Sequence, residues 1–553
     1  MTEQTNTAAP VELDPKRWLA MCVVSLAVSI IIMDATIVNV ILPVLIQDLS
    51  LSVSEAEWAN SIYALVFAAL LITVGRMGDL YGRRRLLLIG VVIFVVASGI
   101  AAVAQDGTLL LTGRLLQGVG GAMILPSTLS TVNALFTGRE RGIAFAIWGS
   151  TIGGMAAVGP LLGGWLATDF SWHWAFLINV PIGILIVVGT LLWVPETRDP
   201  AAERGVDIAG ITLSVVGLSA IVFGLIEGQR YGWWRIQDAP RIADWTWPWS
   251  VSPVPFAFAL GVIAMVTFVV VERTRGARGL PVLLDLALLR IRSLRYGAIA
   301  ALIVALGEFG MLFALPLYVQ GALGFSPLST GFLILALAIG TFLISGGTAQ
   351  LAAKLGSRSV VRLGLLLEVI AVAGLAFSIS LTANAWTLAA WLFLYGVGVG
   401  LATAQLTNVI MVDVPVAQSG QASGLQSTVR QLGSALGIAI LGTVLVTSLA
   451  TATASNLSNV DGVDSSSQEQ FVAVVKQSAG AAIPQLDSLP GATPEVRAAA
   501  EEAMVTAARI TTFSASGVLL VGLLATMGLP ATDPRRDEEA ALRAKAGELP
   551  AGT

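Results

Sequence analysis

Apolar runs long enough to cross a lipid bilayer recur along almost the whole chain, and they restrict its fold more than any other feature. A run of roughly 18 or more apolar residues crosses a hydrocarbon layer of about 30 Å as a helix. Hydrophobic residues make up 56% of the 553 residues and charged residues only 12%, so a water-soluble fold would leave much apolar surface exposed. The sequence therefore predicts an all-α integral membrane protein.

Charged or Gly/Pro-rich breaks divide the runs into fourteen predicted membrane-spanning helices. Their predicted bounds are 18–46, 57–75, 85–104, 109–136, 141–167, 174–194, 207–227, 252–272, 296–320, 327–351, 359–380, 385–411, 421–448 and 509–530. Arg and Lys are concentrated in alternate connections, such as 83–85, 139–141 and 354–362, and are almost missing from the others. Because short basic loops remain in the cytoplasm, we expect both the N- and the C-terminus there.

Two of the connections that are expected outside are long. The segment 229–250 is rich in Trp, as an interfacial aromatic belt would be. The segment 450–508 is polar and rich in Ser, Thr and Ala. We predict that it is a long external loop that either forms a short hairpin or stays mobile.

The chain contains an internal repeat that accounts for the number of helices. Leu42-Pro43 in the first span matches Leu315-Pro316 in the ninth, 273 residues later, and Gly118-Val119-Gly120 matches Gly396-Val397-Gly398, 278 residues later. Six spans need only about 190 residues, so this displacement leaves room for two more helices between two six-helix halves. We predict a 6+2+6 organisation with these parts: a six-helix bundle at 1–200, two inserted helices at 201–275, and a second six-helix bundle at 276–553.

Three ionisable side chains lie deep inside predicted spans, where a charge costs at least about 2.5–3.5 kcal/mol. Asp34 lies near the middle of the first span, and its repeat counterpart in the ninth span is Glu308. If the halves pack about a pseudo-two-fold axis, both carboxylates face one central cavity and are able to bind a proton or a cation. Arg114, in the fourth span, lies at about the level of Asp34. These three residues are our candidates for proton coupling.

Each of these candidates also has a structural explanation that the sequence leaves open. Asp34 and Arg114 are equally able to form an ion pair that fixes helix packing, and Glu308 is able to be satisfied by backbone or hydroxyl groups. Glu368, in the eleventh span, is expected to face protein or a water pocket and not the centre. Arg430, in the thirteenth span, fits a structural role as well as a functional one.

The connection between the second and third spans reads Gly75-Arg76-Met77-Gly78-Asp79-Leu80-Tyr81-Gly82-Arg83-Arg84-Arg85. Glycines permit a tight turn, and Asp79 beside arginines is able to latch neighbouring helix ends through charge-assisted hydrogen bonds. The spacing resembles the inner-loop signature of the major facilitator superfamily. We assign conformational gating to five residues here: Gly75, Asp79, Gly82, Arg83 and Arg84.

Two further motifs narrow the resemblance. The stretch 110–120, which includes Arg114, is similar to the fourth-helix motif that this superfamily associates with proton coupling. The stretch 159–164 is similar to the motif of its antiporters, in which glycines allow close helix approach and a proline bends the helix. Ordinary small-residue packing also explains these glycines. From this motif the predicted gating residues are Gly159, Pro160, Gly163 and Gly164.

The stretches Asp34-Ala35-Thr36-Ile37-Val38-Asn39-Val40 and Trp174-Ala175-Phe176-Leu177-Ile178-Asn179-Val180-Pro181-Ile182-Gly183 are similar to sequences typical of the fourteen-helix drug:proton antiporter family of multidrug efflux proteins. The resemblance implies export of hydrophobic or cationic drugs, dyes or antibiotics against proton entry, by alternating access across the bacterial cytoplasmic membrane. It also implies a major facilitator fold and a monomer that is driven by the proton gradient without a cofactor. The position equivalent to Asp79 in the second half is Ala353, so the latch is expected to be asymmetric.

A substrate cavity between the halves would offer charge and aromatic surface to a lipophilic cation. We expect deprotonated Glu308 or Asp34 to supply the charge. The aromatic candidates for apolar and cation–π contacts are Trp58, Tyr63, Trp148, Phe309 and Phe313.

Several other classes of protein are disfavoured by composition. One cysteine, Cys22, and one histidine, His173, exclude an intramolecular disulfide and the usual Cys/His metal sites. A net charge of −4, with basic residues confined to short loops, argues against nucleic acid as a partner. The sequence offers neither a Ser/His/Asp set nor a phosphate-binding Gly-x-x-x-x-Gly-Lys-Ser/Thr motif, which disfavours an enzyme and an ATP-driven pump. An exporter of an endogenous lipid or a self-made antibiotic stays open, and a proton-coupled nutrient symporter is a weaker alternative.

Overall fold

The structure is a computed structural model that describes residues 16–49, 51, 53–198, 205, 207–242, 245–460 and 463–529. These residues are helical almost throughout, as expected where a bilayer offers the backbone no water to bond to. The helices are α1 (Arg17–Asp48), α2 (Val53–Tyr81), α3 (Arg83–Ala102), α4 (Gly107–Leu135), α5 (Gly138–Asp169), α6 (His173–Leu177), α7 (Asn179–Trp193), α8 (Ile208–Tyr231), α9 (Pro253–Ala277), α10 (Arg292–Gly321), α11 (Pro327–Leu355), α12 (Ser357–Ser378), α13 (Ala385–Met411), α14 (Ser419–Leu457), α15 (Ser465–Gln477) and α16 (Pro494–Ala525).

The predicted membrane fold with about fourteen spans is confirmed. Within the described residues, thirteen helical segments are long and apolar enough to cross a membrane, with α6 and α7 forming one span, His173–Trp193. The fourteenth is α11, which is bent by 57° between Leu328–Ile344 and Gly347–Leu355. One small departure from an all-α fold lies in the connection between α8 and α9, where β1 (Arg241–Ile242) pairs antiparallel with β2 (Trp245–Thr246).

The first and last spans have their chain ends at the same end of the bundle. A series of hydrogen bonds joins the start of α1 to the start of α5, then to the end of α13, the start of α12 and the turn after α16. These bonds are Arg17 to Glu140 (2.8 Å), Arg141 to Asn408 (3.3 Å), Asn408 to Ser357 (3.4 Å) and Arg358 to the Met527 carbonyl (2.9 Å). We call this end of the bundle the basic face; its cytoplasmic orientation stays a prediction from the distribution of arginines.

The described part of the segment 450–508, which was predicted to form a short hairpin or to stay mobile, is mostly helical. Helix α14 continues to Leu457, α15 follows, and α16 begins at Pro494, fifteen residues before the predicted start of the last span. Its polar composition hid a small core of apolar side chains at helical spacing, which bury against the outer ends of α14 and α16. These side chains, each at most 1% exposed, are Phe471, Val475, Ile483 and Leu486.

The two inserted helices α8 and α9 pack closely on each other. A Cβ atom added to Gly261 would lie 2.6 Å from Ile221 Cγ1, and one added to Gly217 would lie 2.8 Å from the Met265 sulfur. Such contacts need small residues at the crossing point. The predicted boundary between residues 200 and 201 lies outside the described residues, and the division into 1–200, 201–275 and 276–553 stays a prediction.

Candidate functional site

A buried polar cluster surrounds Asp34 in the N-terminal half, where this side chain is only 1% exposed. Arg114 Nη1 donates a hydrogen bond to the Asp34 carboxylate at 2.6 Å. Gln117 Nε2 and Asn179 Nδ2 each donate to it at 2.8 Å, and both also donate to Ser98 Oγ, at 2.8 and 3.1 Å. An ionised carboxylate at the middle of a membrane helix is stable only with such donors, so the cluster holds a charge inside the bundle.

Arg114 is held in this cluster from several sides and is fully buried. Its Nε donates to the carbonyl of Ala59 at 2.9 Å, and its guanidinium lies 4.5 Å above the centre of the Tyr63 ring. Its Nη2 atom has no hydrogen-bond partner among the described residues. The Asp34–Arg114 ion pair therefore lies where five helices meet, α1, α2, α3, α4 and α7, and Arg114 Nη2 remains as an unused donor within the described part of the chain.

The candidate site residues omitted Gln117, although it lies in the stretch 110–120, and they also omitted two cluster members outside that stretch, Ser98 and Asn179. Asn179 lies in a stretch that carried the family resemblance, but nothing in the sequence alone tied it to Asp34, which is 145 residues away. A usable signal existed, because a polar amide inside an apolar span needs a partner there. Pairing every polar residue at mid-span depth would have found both.

The glycines of the 159–164 motif bring α5 against α1 beside Asp34. A Cβ on Gly159 would overlap Thr36 Oγ1, and one on Gly163 would lie 3.2 Å from the Ile37 carbonyl oxygen. Pro160 lies inside the helix between them. The close approach of α1 and α5 therefore depends on these two glycines.

Gly159→Ala is expected to lower the stability of the folded protein by about 1–3 kcal/mol, because the added methyl group has to displace Thr36. The midpoint of thermal unfolding in detergent measures this loss. Gly99→Ala and Gly164→Ala are matched controls, since a Cβ at Gly99 meets nothing within 4 Å and one at Gly164 has Val40 Cγ1 at 3.8 Å. Equal midpoints for all three variants would show that the α1–α5 contact tolerates the methyl group.

A second polar site lies in the C-terminal half around Glu308, which is 7% exposed. Arg430 Nη2 of α14 lies 3.7 Å from Glu308 Oε2. Together they border a cavity of about 20 Å³, which has room for about one water molecule. Its other lining residues are Ala301, Val304, Ala305, Thr403, Leu406, Thr407 and Gln426.

Asp34 and Glu308 have separate polar surroundings in this structure, and their common central cavity stays a prediction. The cavity at Glu308 is lined by residues of α10, α13 and α14, whereas the side chains that donate to Asp34 come from α4 and α7. A buried carboxylate needs nearby donors or cations, and both of these acids find theirs within their own half.

The five aromatic candidates do not line the cavity at Glu308. Tyr63 and Trp148 are buried inside the N-terminal half, where Trp148 Nε1 donates to Thr128 Oγ1 at 3.2 Å. Trp58 stacks on Phe223 of α8 with ring centroids 6.1 Å apart. The remaining two are only partly buried on α10: Phe309 and Phe313. In this conformation these rings contribute packing within the bundle.

A latch joins the two halves at the basic face. The Asp79 carboxylate accepts hydrogen bonds from Arg83 Nη2 at 2.8 Å and from the first backbone N–H groups of α14, those of Gly420 at 2.8 Å and Gln421 at 2.9 Å. Arg83 Nη2 also donates to the Val416 carbonyl at 2.6 Å. Asp79 and Arg83 are at most 1% exposed, so a buried ion pair caps the positive end of the α14 dipole.

Glycines bring α2 and α14 together beside this latch. A Cβ on Gly75 would lie 2.3 Å from the Gly420 carbonyl oxygen and 3.0 Å from Gly424 Cα. Side chains at this crossing would force the helices apart, which explains why the motif begins with glycine.

The turn between α2 and α3 is fixed by a different set of contacts. Gly82 has a φ of 107°, which favours glycine, and the Glu196 carboxylate fills the space where its Cβ would be. Glu196 accepts from the backbone N–H of Arg84 at 3.1 Å, and Arg84 Nη2 donates to the Leu191 carbonyl at 2.7 Å. These bonds tie the turn to the end of α7, so Arg84 acts within the N-terminal half.

The second half carries no acid at the position that corresponds to Asp79. Ala353 stands where the first half has Asp79. Near the start of α5, Arg141 Nε donates to the amide oxygen of Asn408 at 3.3 Å. The α2–α14 contact therefore contains a buried ion pair, whereas at the α5–α13 contact Arg141 bonds the oxygen of an uncharged amide.

The described residues contain no group of three or more His, Cys, Asp or Glu side chains placed to hold a metal ion.

A family model described as Major Facilitator Superfamily matches residues 24–438. The chain belongs to this superfamily. The multidrug efflux pump LfrA of Mycolicibacterium smegmatis is 33% identical to it over 491 residues, which cover 88% of this chain and 91% of that protein. The probable actinorhodin transporter of Streptomyces coelicolor is 32% identical over 452 residues, which cover 79% of this chain and 74% of that protein.

The fold of this superfamily member also resembles a solved structure, that of the human organic anion transporter MFSD10 (TETRAN). The TM-score is 0.59 at 14% sequence identity, and the match covers 93% of this chain and 99% of the other. With thirteen to fourteen apolar helices among its described residues, this major facilitator protein is a multi-pass transporter of the bacterial cytoplasmic membrane.

Proposed function

We propose that this transporter exports lipophilic, often cationic small molecules in exchange for protons, by alternating access. The observation that carries the proposal is the Asp34–Arg114 ion pair, 2.6 Å long and fully enclosed within the membrane-spanning bundle. Its relatives include a multidrug efflux pump and a puromycin resistance protein, the latter from Streptomyces alboniger and 32% identical over 455 residues, covering 79% of this chain and 85% of that protein. These relatives support a drug-like substrate over a nutrient.

A proton is expected to act at Asp34 by removing its charge. A protonated carboxyl group accepts hydrogen bonds more weakly than a carboxylate. Protonation of Asp34 therefore weakens its hydrogen bonds with Arg114, Gln117 and Asn179. Because these residues come from α4 and α7, protonation loosens α1 from its neighbours. The event lets the N-terminal half change conformation only after a proton has arrived.

A lipophilic cation is expected to act at Glu308 in the C-terminal half. Arg430 is the resident cation there, at 3.7 Å from the carboxylate. A cationic substrate competes with Arg430 for the same charge, and the apolar lining of Ala301, Val304 and Leu406 excludes water from the contact. The latch at Asp79 keeps the basic face closed in this conformation, so loading from that side requires its release.

We further propose that the transporter works as a monomer, without a cofactor, metal ion or enzymatic step. The energy then comes from proton entry alone. Protons and the bilayer are its other partners. Export of an endogenous lipid or of a self-made antibiotic differs from drug export in substrate and not in mechanism.

The test uses purified protein in liposomes with a pH indicator inside and ethidium as the probe substrate. Antiport predicts that protons move opposite to ethidium and that an imposed pH gradient concentrates the dye. Proton movement in the same direction as the dye would support the symporter instead. Dye movement that is insensitive to the pH gradient would overturn proton coupling, and no dye movement would overturn export of lipophilic cations.

Glu308→Gln is expected to reduce transport of ethidium roughly tenfold, equivalent to about 1.4 kcal/mol, and to change transport of an uncharged lipophile less than twofold. The amide keeps the shape of the side chain but offers no charge to a cation. Initial rates of uptake into inverted vesicles provide the measurement. Glu469→Gln, which changes an exposed acid in α15, is the matched control. An equal loss for both substrates would argue that Glu308 does not recognise substrate charge.

A further inference from the structure

Glu368 is a buried carboxyl group without a role in the scheme above. It lies in α12 and is 1% exposed. A Cβ on Gly398 of α13 would lie 2.7 Å from Glu368 Cγ, and one on Gly364 would lie 2.7 Å from the Gly398 carbonyl oxygen. Helices α12 and α13 therefore cross closely and enclose this side chain. Glu368 Oε2 has no hydrogen-bond partner among the described residues.

Charged and titratable groups from three other helices face Glu368. Glu308 of α10 and Arg430 of α14 both act on it electrostatically, and all three act in the same way on Tyr395 of α13. Helix α16, which also packs on α12, contributes the neutral hydroxyl of Ser516, bonded to a backbone carbonyl of α12. Tyr395 is 1% exposed, and its hydroxyl has no partner among the described residues. Two acids thus share the influence of one arginine.

This arginine is engaged by only one of the two acids. Arg430 lies 3.7 Å from Glu308, whereas no ion pair joins it to Glu368 within the described part of the chain. A second ionised carboxylate in an apolar enclosure lacks compensation, so it is stable only in its protonated, neutral form. Two coupled acids beside one cation therefore hold one proton between them.

We propose that Glu368 is a second proton-binding site and that Arg430 is the switch that empties it. In this conformation Arg430 pairs with Glu308 and the proton resides on Glu368. A cationic substrate that binds Glu308 displaces Arg430 toward Glu368. The O–H bond of the Glu368 carboxyl group then breaks, the proton leaves to water, and Arg430 pairs with the new carboxylate.

The charge of the cluster is the same before and after this step, because one substrate cation enters as one proton leaves. The buried site therefore never carries an uncompensated charge. The Tyr395 hydroxyl and Glu368 Oε2 are both buried without a hydrogen-bond partner among the described residues. This inference rests on the proposed antiport and adds to it a proton that is expelled by substrate binding itself.

The infrared C=O stretching band of protonated carboxyl groups tests the proposal in purified protein. Glu368→Gln is expected to remove one such band, and addition of ethidium to the unaltered protein is expected to weaken the same band. Glu308→Gln is expected to remove it too, because Arg430 then pairs with Glu368. Arg430→Gln is expected to add a second band, since both acids then become neutral.

A purely structural, permanently protonated Glu368 predicts a different pattern: its band persists in Glu308→Gln and does not respond to ethidium. That pattern would overturn the proposal. If Glu368→Gln does not fold, the variants Glu308→Gln and Arg430→Gln carry the test. In liposomes, Glu368→Gln is also expected to lower the number of protons exchanged per ethidium by about one.

Failure of antiport and failure of this inference are distinguishable. Unaltered protein that moves no protons with ethidium contradicts antiport. The infrared band of Glu308→Gln is measured without transport, so it tests the Arg430 switch independently of antiport. Unaltered protein that exchanges protons, combined with an unchanged proton count in Glu368→Gln, contradicts the inference alone.

Discussion

Asp34→Asn is expected to abolish pH-driven accumulation of ethidium while substrate exchange without a pH gradient continues. The amide cannot take up a proton, and it leaves the buried guanidinium of Arg114 without its counter-charge. Removing one partner of a buried ion pair costs about 3–5 kcal/mol, so coupled transport should slow by at least about 100-fold. Initial rates in liposomes, with and without an imposed pH gradient, measure both quantities.

Substrate exchange without a pH gradient distinguishes a folded variant that has lost proton coupling from a variant that does not fold. Asp169→Asn provides a matched control, since that acid is exposed at the end of α5. An Asp34→Glu variant keeps the charge and should retain part of the coupling. If Asp34→Asn accumulates ethidium at the unaltered rate, the ion pair serves only helix packing, the alternative that the sequence left open.

Asp79→Asn is expected to open the basic face and to stop transport. The variant removes the charge that compensates Arg83 and weakens the cap on the first N–H groups of α14. The loss of about 3–5 kcal/mol from the closed state alone shifts the closed–open equilibrium by roughly 100-fold or more. A cysteine at the buried position Ser423 of α14, in a chain with Cys22→Ser, should then react with a thiol reagent correspondingly faster.

Two neighbouring arginines provide the matched comparison for this latch. Arg83 is 1% exposed and bonds Asp79 and Val416, whereas the Arg85 side chain is 70% exposed and pairs loosely with Glu196 at 3.8 Å. Arg83→Gln should therefore reproduce much of the Asp79→Asn effect, and Arg85→Gln should have little. Equal effects of the two substitutions would mean that the positive charge of the loop matters and the latch does not.

The sequence was sufficient to predict those parts of the fold that depend on one membrane-spanning segment alone. Span length and apolarity fix most helices, because each must satisfy its own backbone hydrogen bonds within the membrane. The same reasoning failed for 450–508, where a small core of side chains such as Phe471 and Val475 stabilises helices in a polar sequence. Hydropathy averages over such a segment and does not detect a core that forms only when three helices meet.

The candidate site divides along the same line. Asp34, Arg114 and Asp79 were identifiable because buried charges and glycine-flanked turns are conspicuous in an apolar sequence. Their partners Asn179 and Gly420 are distant in the chain, at separations of 145 and 341 residues, and each is an ordinary residue until the helices pack. Glu368 seemed peripheral for the same reason.

The sequence by itself determined that this chain spans a membrane about fourteen times and carries charged side chains within the spans that require compensation. Only the tertiary structure showed how each charge is compensated: Asp34 is satisfied inside its own half, Asp79 holds the two halves together, and Glu308 lies beside Arg430. Membrane insertion is a property of each segment, whereas compensation of a buried charge depends on donors that other helices bring to it.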